Sequence, residues 1–267
     1  MNEERMPFRM ITKEEKEQME RMKKQKSPDF IICLPGHPSS GVQEMNLINT
    51  ITGLLGQGKT FGIAHAEACN IYGVRNGCLI GKDQQARRFQ RPFHGRYDDY
   101  GKIVWIDQDN IINPQSLLRL ISYDVDMVAA WYRQYGGQGP LSDDNKTACG
   151  LWERGDGFSM VRPILVGEIP RWPRNELGLI DVDYAGFGLM VVKKGVTESL
   201  EYPWFRSEVI QWKGDITDPK TGEVEKDVEM AEISTDDEDF CHRAKTKGFK
   251  IMVDPEVRIL HQKMVLV

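Results

Sequence analysis

Two aspartates one residue apart close an apolar run, in the order Ile103-Val104-Trp105-Ile106-Asp107-Gln108-Asp109-Asn110. A short apolar run next to Gly101 and ended by turn-forming residues reads as a strand buried on both faces, the kind found inside a parallel sheet. Side chains alternate along a strand, so an extended chain points Asp107 and Asp109 to the same side. At the C-terminal end of such a strand, two carboxylates make half of a site for a hard divalent cation, which takes oxygen ligands and leaves positions for phosphate. The same residue types also stabilise turns and cap helices. Taken alone, Asp-Gln-Asp is better explained by turn chemistry; further carboxylates downstream are what raise it.

Other stretches carry chemistry of their own. The sharpest pattern is Gly53-Leu54-Leu55-Gly56-Gln57-Gly58-Lys59-Thr60, which satisfies the phosphate-binding G-x-x-x-x-G-K-[ST] loop and would make the chain an ATPase. That loop requires a buried strand directly before its first glycine. Here Met45 to Thr52 contains two Asn and two Thr and repeats its large apolar residues every three or four positions, as a helix does. The match is therefore read as a helix-ending turn. Pro35-Gly36-His37-Pro38-Ser39-Ser40 is small, polar and turn-rich, as a ligand-approaching loop after a first strand would be. Gly186 and Gly188 interrupt the apolar stretch Val182 to Val192, which marks either a bend or close approach by a backbone or ligand. Trp204 offers a flat ring for a sugar face, though such a Trp is more often core.

The elements that must position these residues alternate. Phe30-Ile31-Ile32-Cys33-Leu34 reads as the first buried strand. Met45, Ile48, Ile51 and Leu55 recur at helical spacing and suggest a crossover helix. A second strand over Thr60 to Ala64 and a second helix beginning near Ile71 precede the Asp107 strand, and Asn113-Pro114 opens another helix with Leu117, Leu118, Leu120 and Ile121 on its buried face. Asp126 to Tyr132 is a further strand. Residues from about Gln134 to Arg174 are rich in Gly, Pro and Trp and weakly periodic, which suits irregular structure facing a ligand, within an acceptor-side region of about 134–232; Lys213 to Glu232, turning at Asp218-Pro219-Lys220-Thr221-Gly222, reads as an exposed hairpin or flap. Ser234 to Asp239 loads the N-terminus of a last helix with acid, favourable to its dipole. Gly248 ends that helix, Lys250 to Asp254 is the last strand, and Arg258 to His261 closes the ordered chain. The fold class is α/β, with a mostly parallel central sheet and helices on both faces.

At 267 residues with a formal charge of −5, the chain can bury a sizeable core and has no global pull toward nucleic acid or anionic lipid. No apolar run approaches a membrane span of roughly 18 residues. The five cysteines, Cys33, Cys69, Cys78, Cys149 and Cys241, are odd in number and form no Cys-x-x-Cys pair, so neither a disulfide framework nor a zinc site is indicated and a reducing cytoplasm is expected. Residues 1–28 form a charged arm: Thr12-Lys13-Glu14-Glu15 fits a capping box, and the few apolar residues after it, chiefly Met19 and Met22, suit a solvated helix or an oligomerisation arm.

Three segments then stand in order: the strand ending in Asp107-Gln108-Asp109, the Ala185-Gly186-Phe187-Gly188 stretch followed by Pro203-Trp204-Phe205, and Thr235-Asp236-Asp237-Glu238-Asp239-Phe240-Cys241 running through Gly248 to Pro255 and His261. Together they resemble nucleotide-sugar glycosyltransferases of the GT-A fold, closest to family-2-like enzymes of phage and bacterial type, over roughly Asp29 to Lys263. The resemblance implies a single domain over 29–267 and a transferase that moves a sugar from a nucleotide-sugar, by family habit a UDP-sugar, to an acceptor hydroxyl of a glycan, protein or modified base. It implies that Asp107, Asp109 and His261 hold Mn²⁺ or Mg²⁺, and that Asp237 is the general base of an inverting reaction. The family has Glu-Asp where this chain has Asp236-Asp237, so the part of Asp236 is altered. Pro35, Ser39, Arg75, Asp107, Gly186, Gly188 and Trp204 fall near donor-contacting positions. A non-catalytic sugar-nucleotide-binding module with the same fold is a third class.

Overall fold

The computed structural model describes residues 27–267 except 37–39, 81–87, 89, 95, 98, 135–144, 153–161, 219 and 262–267. In chain order the elements are β1 (Phe30–Pro35), α1 (Gly41–Gly56), β2 (Phe61–Ala66), α2 (Ile71–Ile80), β3 (Lys102–Ile106), β4 (Asn110–Ile111), α3 (Pro114–Ser122), β5 (Met127–Trp131), β6 (Lys146–Leu151), β7 (Arg162–Leu165), β8 (Ile180–Val182), β9 (Tyr184–Ala185), β10 (Leu189–Lys193), α4 (Val196–Ser199), β11 (Val209–Thr217), β12 (Val224–Ile233), α5 (Asp236–Thr246), β13 (Ile251–Arg258) and β14 (Leu260–His261).

Seven strands form the central sheet in the order β2-β1-β3-β10-β5-β13-β8. The β1–β2, β1–β3 and β5–β13 pairs are parallel, whereas β10 is antiparallel to β3 and β5, and β8 to β13. Five strands thus run one way and β10 and β8 the other, giving the expected mixed, mostly parallel α/β sheet, compatible with a Rossmann-like fold. Strand β1 is buried at every position, because both faces of the sheet are covered. Ile31 and Cys33 join a core with Cys78 and Leu79 of α2 and Phe240, Cys241 and Ala244 of α5. The alternate residues Phe30, Ile32 and Leu34 join a second core with Leu54 of α1 and Leu117 and Leu120 of α3.

Local sequence explains the helix ends. Asn113 caps α3, its side chain accepting from the Gln115 amide at 2.9 Å, with Pro114 in the first turn. Thr235 and Glu238 form a reciprocal capping box on α5.

Helix α1 departs from expectation. Its apolar spacing is helical as predicted, yet Met45, Ile48 and Leu55 are 56%, 54% and 60% exposed, and the buried residues are Gln43, Thr50 and Leu54. The inward polar face has a partner: the Asn46 side chain donates to the Ile112 carbonyl and accepts from the Ile112 amide, both at 2.8 Å. Two backbone groups of the chain leaving β4 are satisfied by that one amide, which turns the polar side of the helix toward the sheet.

The P-loop pattern resolves as a helix end. Gly53 to Gly56 is the last turn of α1, and the amides of Gln57, Gly58 and Lys59 donate to the carbonyls of Leu54 and Leu55. Those N–H groups already cap the helix, so they form no phosphate cradle. The expected hairpin is β11–β12.

Candidate functional site

The C-terminal ends of β1, β3 and β5 and the chain entering β10 share one rim of the sheet, which is where open α/β sheets place their ligands. Asp107 is the first residue past β3, and its amide donates to the Gly188 carbonyl at 3.1 Å. The chain does not stay extended there. Asp107 to Asn110 is a turn closed by the Asn110 amide donating to the Asp107 carbonyl at 3.1 Å, so strand alternation does not set where Asp109 points. The turn is packed against the end of β1, where Gln108 Nε2 donates to the carbonyls of Leu34 and Gly36.

Asp236 and Asp237 open α5, and both meet Asp107 through one residue. Arg75, on α2 and 3% exposed, donates from Nη2 to Asp107 at 3.0 Å and from Nη1 to Asp236 at 2.6 Å and to Asp237. Its guanidinium lies over the rings of Phe187 and Phe205, 5.2 and 5.6 Å from their centroids. The neighbouring Asn76 fixes this arrangement by donating to the Phe205 carbonyl at 2.6 Å and accepting from the Phe205 amide at 3.2 Å. Asp237 also accepts from the Phe187 amide at 3.3 Å.

One buried cation among several carboxylates leaves the site short of positive charge. Burial pushes Asp107 up to about 7; Arg75 opposes that shift, while Asp237, Asp109 and Asp236 add to it. Asp236 is raised to about 6, chiefly by burial and, against Arg75, by Asp237. The Tyr132 hydroxyl is raised well above the ordinary phenol value by burial and then by Asp237 and Asp107.

The structure brings together Asp107, Asp236, Asp237 and Arg75, with Pro35 buried at the end of β1 on the same rim. The pairing of β14 with β4 sets the His261 backbone opposite Asn110, one residue past Asp109; for His261 only the backbone is described. Among the described residues, no group of three or more His, Cys, Asp or Glu side chains is arranged to hold a metal ion. Ser39 lies outside the described residues.

Three expectations are corrected. Trp204 is fully buried beside Tyr202, in the core shared by α4 and α5, so it has no open face to offer a sugar. Gly186 and Gly188 are close-approach glycines, but the approaching group is Tyr132: a Cβ on Gly186 would lie 2.2 Å from the Tyr132 hydroxyl, and one on Gly188 would lie 2.7 Å from its ring. Arg75 commits both of its terminal nitrogens to carboxylates rather than to a nucleotide.

Tyr132, which directly follows β5, is the site residue that sequence reasoning missed. Its only signal was an aromatic at the end of a strand.

No family model and no curated protein matches this sequence. Among solved structures, the chain is similar to A197 from STIV at 11% identity and a TM-score of 0.42, covering 89% of this chain and 96% of that one. It is also similar to a glycosyltransferase involved in the glycosylation of the major capsid of PBCV-1, at 13% identity and a TM-score of 0.30, covering 66% and 70%. Likenesses this loose assign no activity.

Proposed function

We propose that the protein is a metal-dependent glycosyltransferase that moves a sugar from a nucleotide-sugar, taken as a UDP-sugar, to an acceptor hydroxyl. The observation that supports this reading is the convergence of Asp107, Asp236 and Asp237 on one sheet rim, although the first lies more than 120 residues from the other two along the chain. The donor set is hard oxygen, and the carboxylates outnumber their cation, which suits a divalent ion bound through one or two carboxylates with positions left for phosphate. Asp107 and Asp109 would hold it, with His261 as the third ligand that the resemblance implies. When bound, the ion would offset the charge that develops on the departing nucleoside diphosphate.

The chain's own residues supply the rest. Asp237 keeps 21% of its side chain exposed, against 6% for Asp236. An acceptor can therefore reach Asp237, whose oxygens each retain a further lone pair beyond the bonds to Arg75 and Phe187. Asp237 takes the proton of the acceptor hydroxyl as it attacks the anomeric carbon. Asp236, more deeply buried on the same Arg75 nitrogen, keeps the guanidinium in place and the helix end oriented.

The test is a screen of nucleotide-sugars with Mn²⁺ and with chelator, following nucleoside diphosphate release. Release is expected only with metal, and Asp109→Ala or Asp237→Asn should lower it by at least about a hundredfold. Turnover that ignores the chelator would remove the metal from the reading. Nucleotide and metal raising the melting temperature with no product formed would make the chain a binding module.

A further inference from the structure

Tyr132 is a buried polar side chain with no part in the metal site or in the proton transfer described above. It directly follows β5 and is 8% exposed. Two glycines make its seat. A Cβ on Gly186 would lie 2.2 Å from the Tyr132 hydroxyl, and one on Gly188 would lie 2.7 Å from its ring. The phenol therefore lies across residues 186–188 with its hydroxyl at the Gly186 end, in the room that two missing side chains leave.

The same three residues tie together the two ends of the site. The Gly188 carbonyl accepts from the Asp107 amide at 3.1 Å, and the Phe187 amide donates to Asp237 at 3.3 Å. Tyr132 is thereby seated on the segment that links the residue read as a metal ligand to the residue read as the base. The charges acting on its hydroxyl agree with that placement. After burial, Asp237 and then Asp107 raise it most, Arg75 opposes them and Asp109 adds to them. The phenol stays protonated, with a hydrogen to donate and lone pairs to accept.

A transfer between Asp107 and Asp237 has three pieces. The diphosphate is anionic and is served by the cation; the acceptor hydroxyl is served by the Asp237 carboxylate. The sugar lies between them, and its uncharged hydroxyl groups call for an uncharged partner that can both donate and accept. A phenylalanine would fill the same seat, and burying a hydroxyl is costly unless it is hydrogen-bonded. On the glycosyltransferase reading, on which this rests, we propose that the Tyr132 hydroxyl contacts the transferred sugar through a hydrogen bond to one of its hydroxyl groups and so selects the donor by its sugar.

The test compares UDP-glucose, UDP-galactose and UDP-N-acetylglucosamine with UDP, each in Mn²⁺, by calorimetric titration of the full chain. The native protein is expected to bind at least one of the three more tightly than it binds UDP. Tyr132→Phe, which keeps the ring in its seat, should cut that advantage about tenfold, the worth of one hydrogen bond, with UDP affinity and melting temperature unchanged. Gly186→Ala, which displaces the hydroxyl without removing it, should also cut the advantage, and adding it to Tyr132→Phe should cut it no further. An advantage that survives Tyr132→Phe would overturn the proposal and leave the glycosyltransferase reading standing. UDP and UDP-sugar weakened alike would also overturn it, since the hydroxyl would then serve the fold or the phosphates. A native protein that binds neither UDP nor any of the three sugars would instead remove the reading itself, and this assignment with it.

Discussion

Arg75 sets one positive charge, 3% exposed, against three hydrogen-bonded carboxylates, and the pH dependence of the metal-free protein follows from that imbalance. Asp107 and Asp236 are raised to about 7 and about 6 from an ordinary 3.8. The folded state therefore holds protons that the unfolded chain has already released. Stability from these two groups is full below pH about 4 and is lost as pH rises through 6 to 7. Partial exposure of Asp107, 21%, tempers the effect. In chelator, the melting temperature should fall between pH 5 and pH 8, and Asp107→Asn should flatten that fall; an equal slope in the variant would refute the assignment. Arg75→Met should cost about 3–5 kcal/mol at pH 8, the cost of leaving buried carboxylates without their partner, and distinctly less at pH 5, as denaturant titrations at the two values would show. The carboxylates were legible as types and in order along the sequence. The role of Arg75 was not, because its pairing spans as many as 162 residues and leaves no trace in local spacing. Trp204 was misjudged for a related reason, since a tryptophan in a turn-rich stretch does not declare its burial.

Among the elements, the strands were the most readable. A strand covered on both faces needs an unbroken apolar run, as β1 and β3 have. The facing of α1 was not readable, because periodicity identifies a stripe without saying what lies opposite it, and here the Asn46 amide outweighs apolar burial in setting the helix's rotation. The break between β9 and β10 was anticipated, but the group that approaches it is Tyr132, just past the end of β5. Gly186→Ala would bring a methyl to 2.2 Å from the Tyr132 hydroxyl and 3.2 Å from the Ala148 side chain, an overpacking that costs about 1–3 kcal/mol. Tyr132→Phe removes the atom that clashes first, so the double variant should recover part of the loss. A double-mutant cycle by thermal melting measures that coupling, and strict additivity would mean Tyr132 is not what holds residue 186 to glycine.

For the molecule as a whole, a resident divalent ion and simple electrostatic strain predict different responses to metal. An ion bound at Asp107 and Asp109 stabilises only the folded state, by about 2.7 kcal/mol at a hundred times its dissociation constant. Mn²⁺ should then raise the melting temperature at pH 8, and Asp109→Ala should abolish the rise. A shift of equal size in that variant would place the ion elsewhere. Among the described residues the hairpin of β11 and β12 pairs only within itself as a sheet, and two strands alone are marginally stable in water, so it should exchange its amide protons before the central sheet does, as hydrogen exchange would register.

The buried arginine also has a bearing on synthesis. Its partners on α5 leave the ribosome some 160 residues after it does, and domains complete their folding only when the pieces they need have emerged. Until then, Arg75 on α2 has Asp107 to pair with but lacks the two α5 carboxylates that hold its other terminal nitrogen. Nascent chains halted before residue 236 should therefore remain protease-sensitive from Ile71 onward, and closure of the sheet's two halves should coincide with the arrival of the last helix.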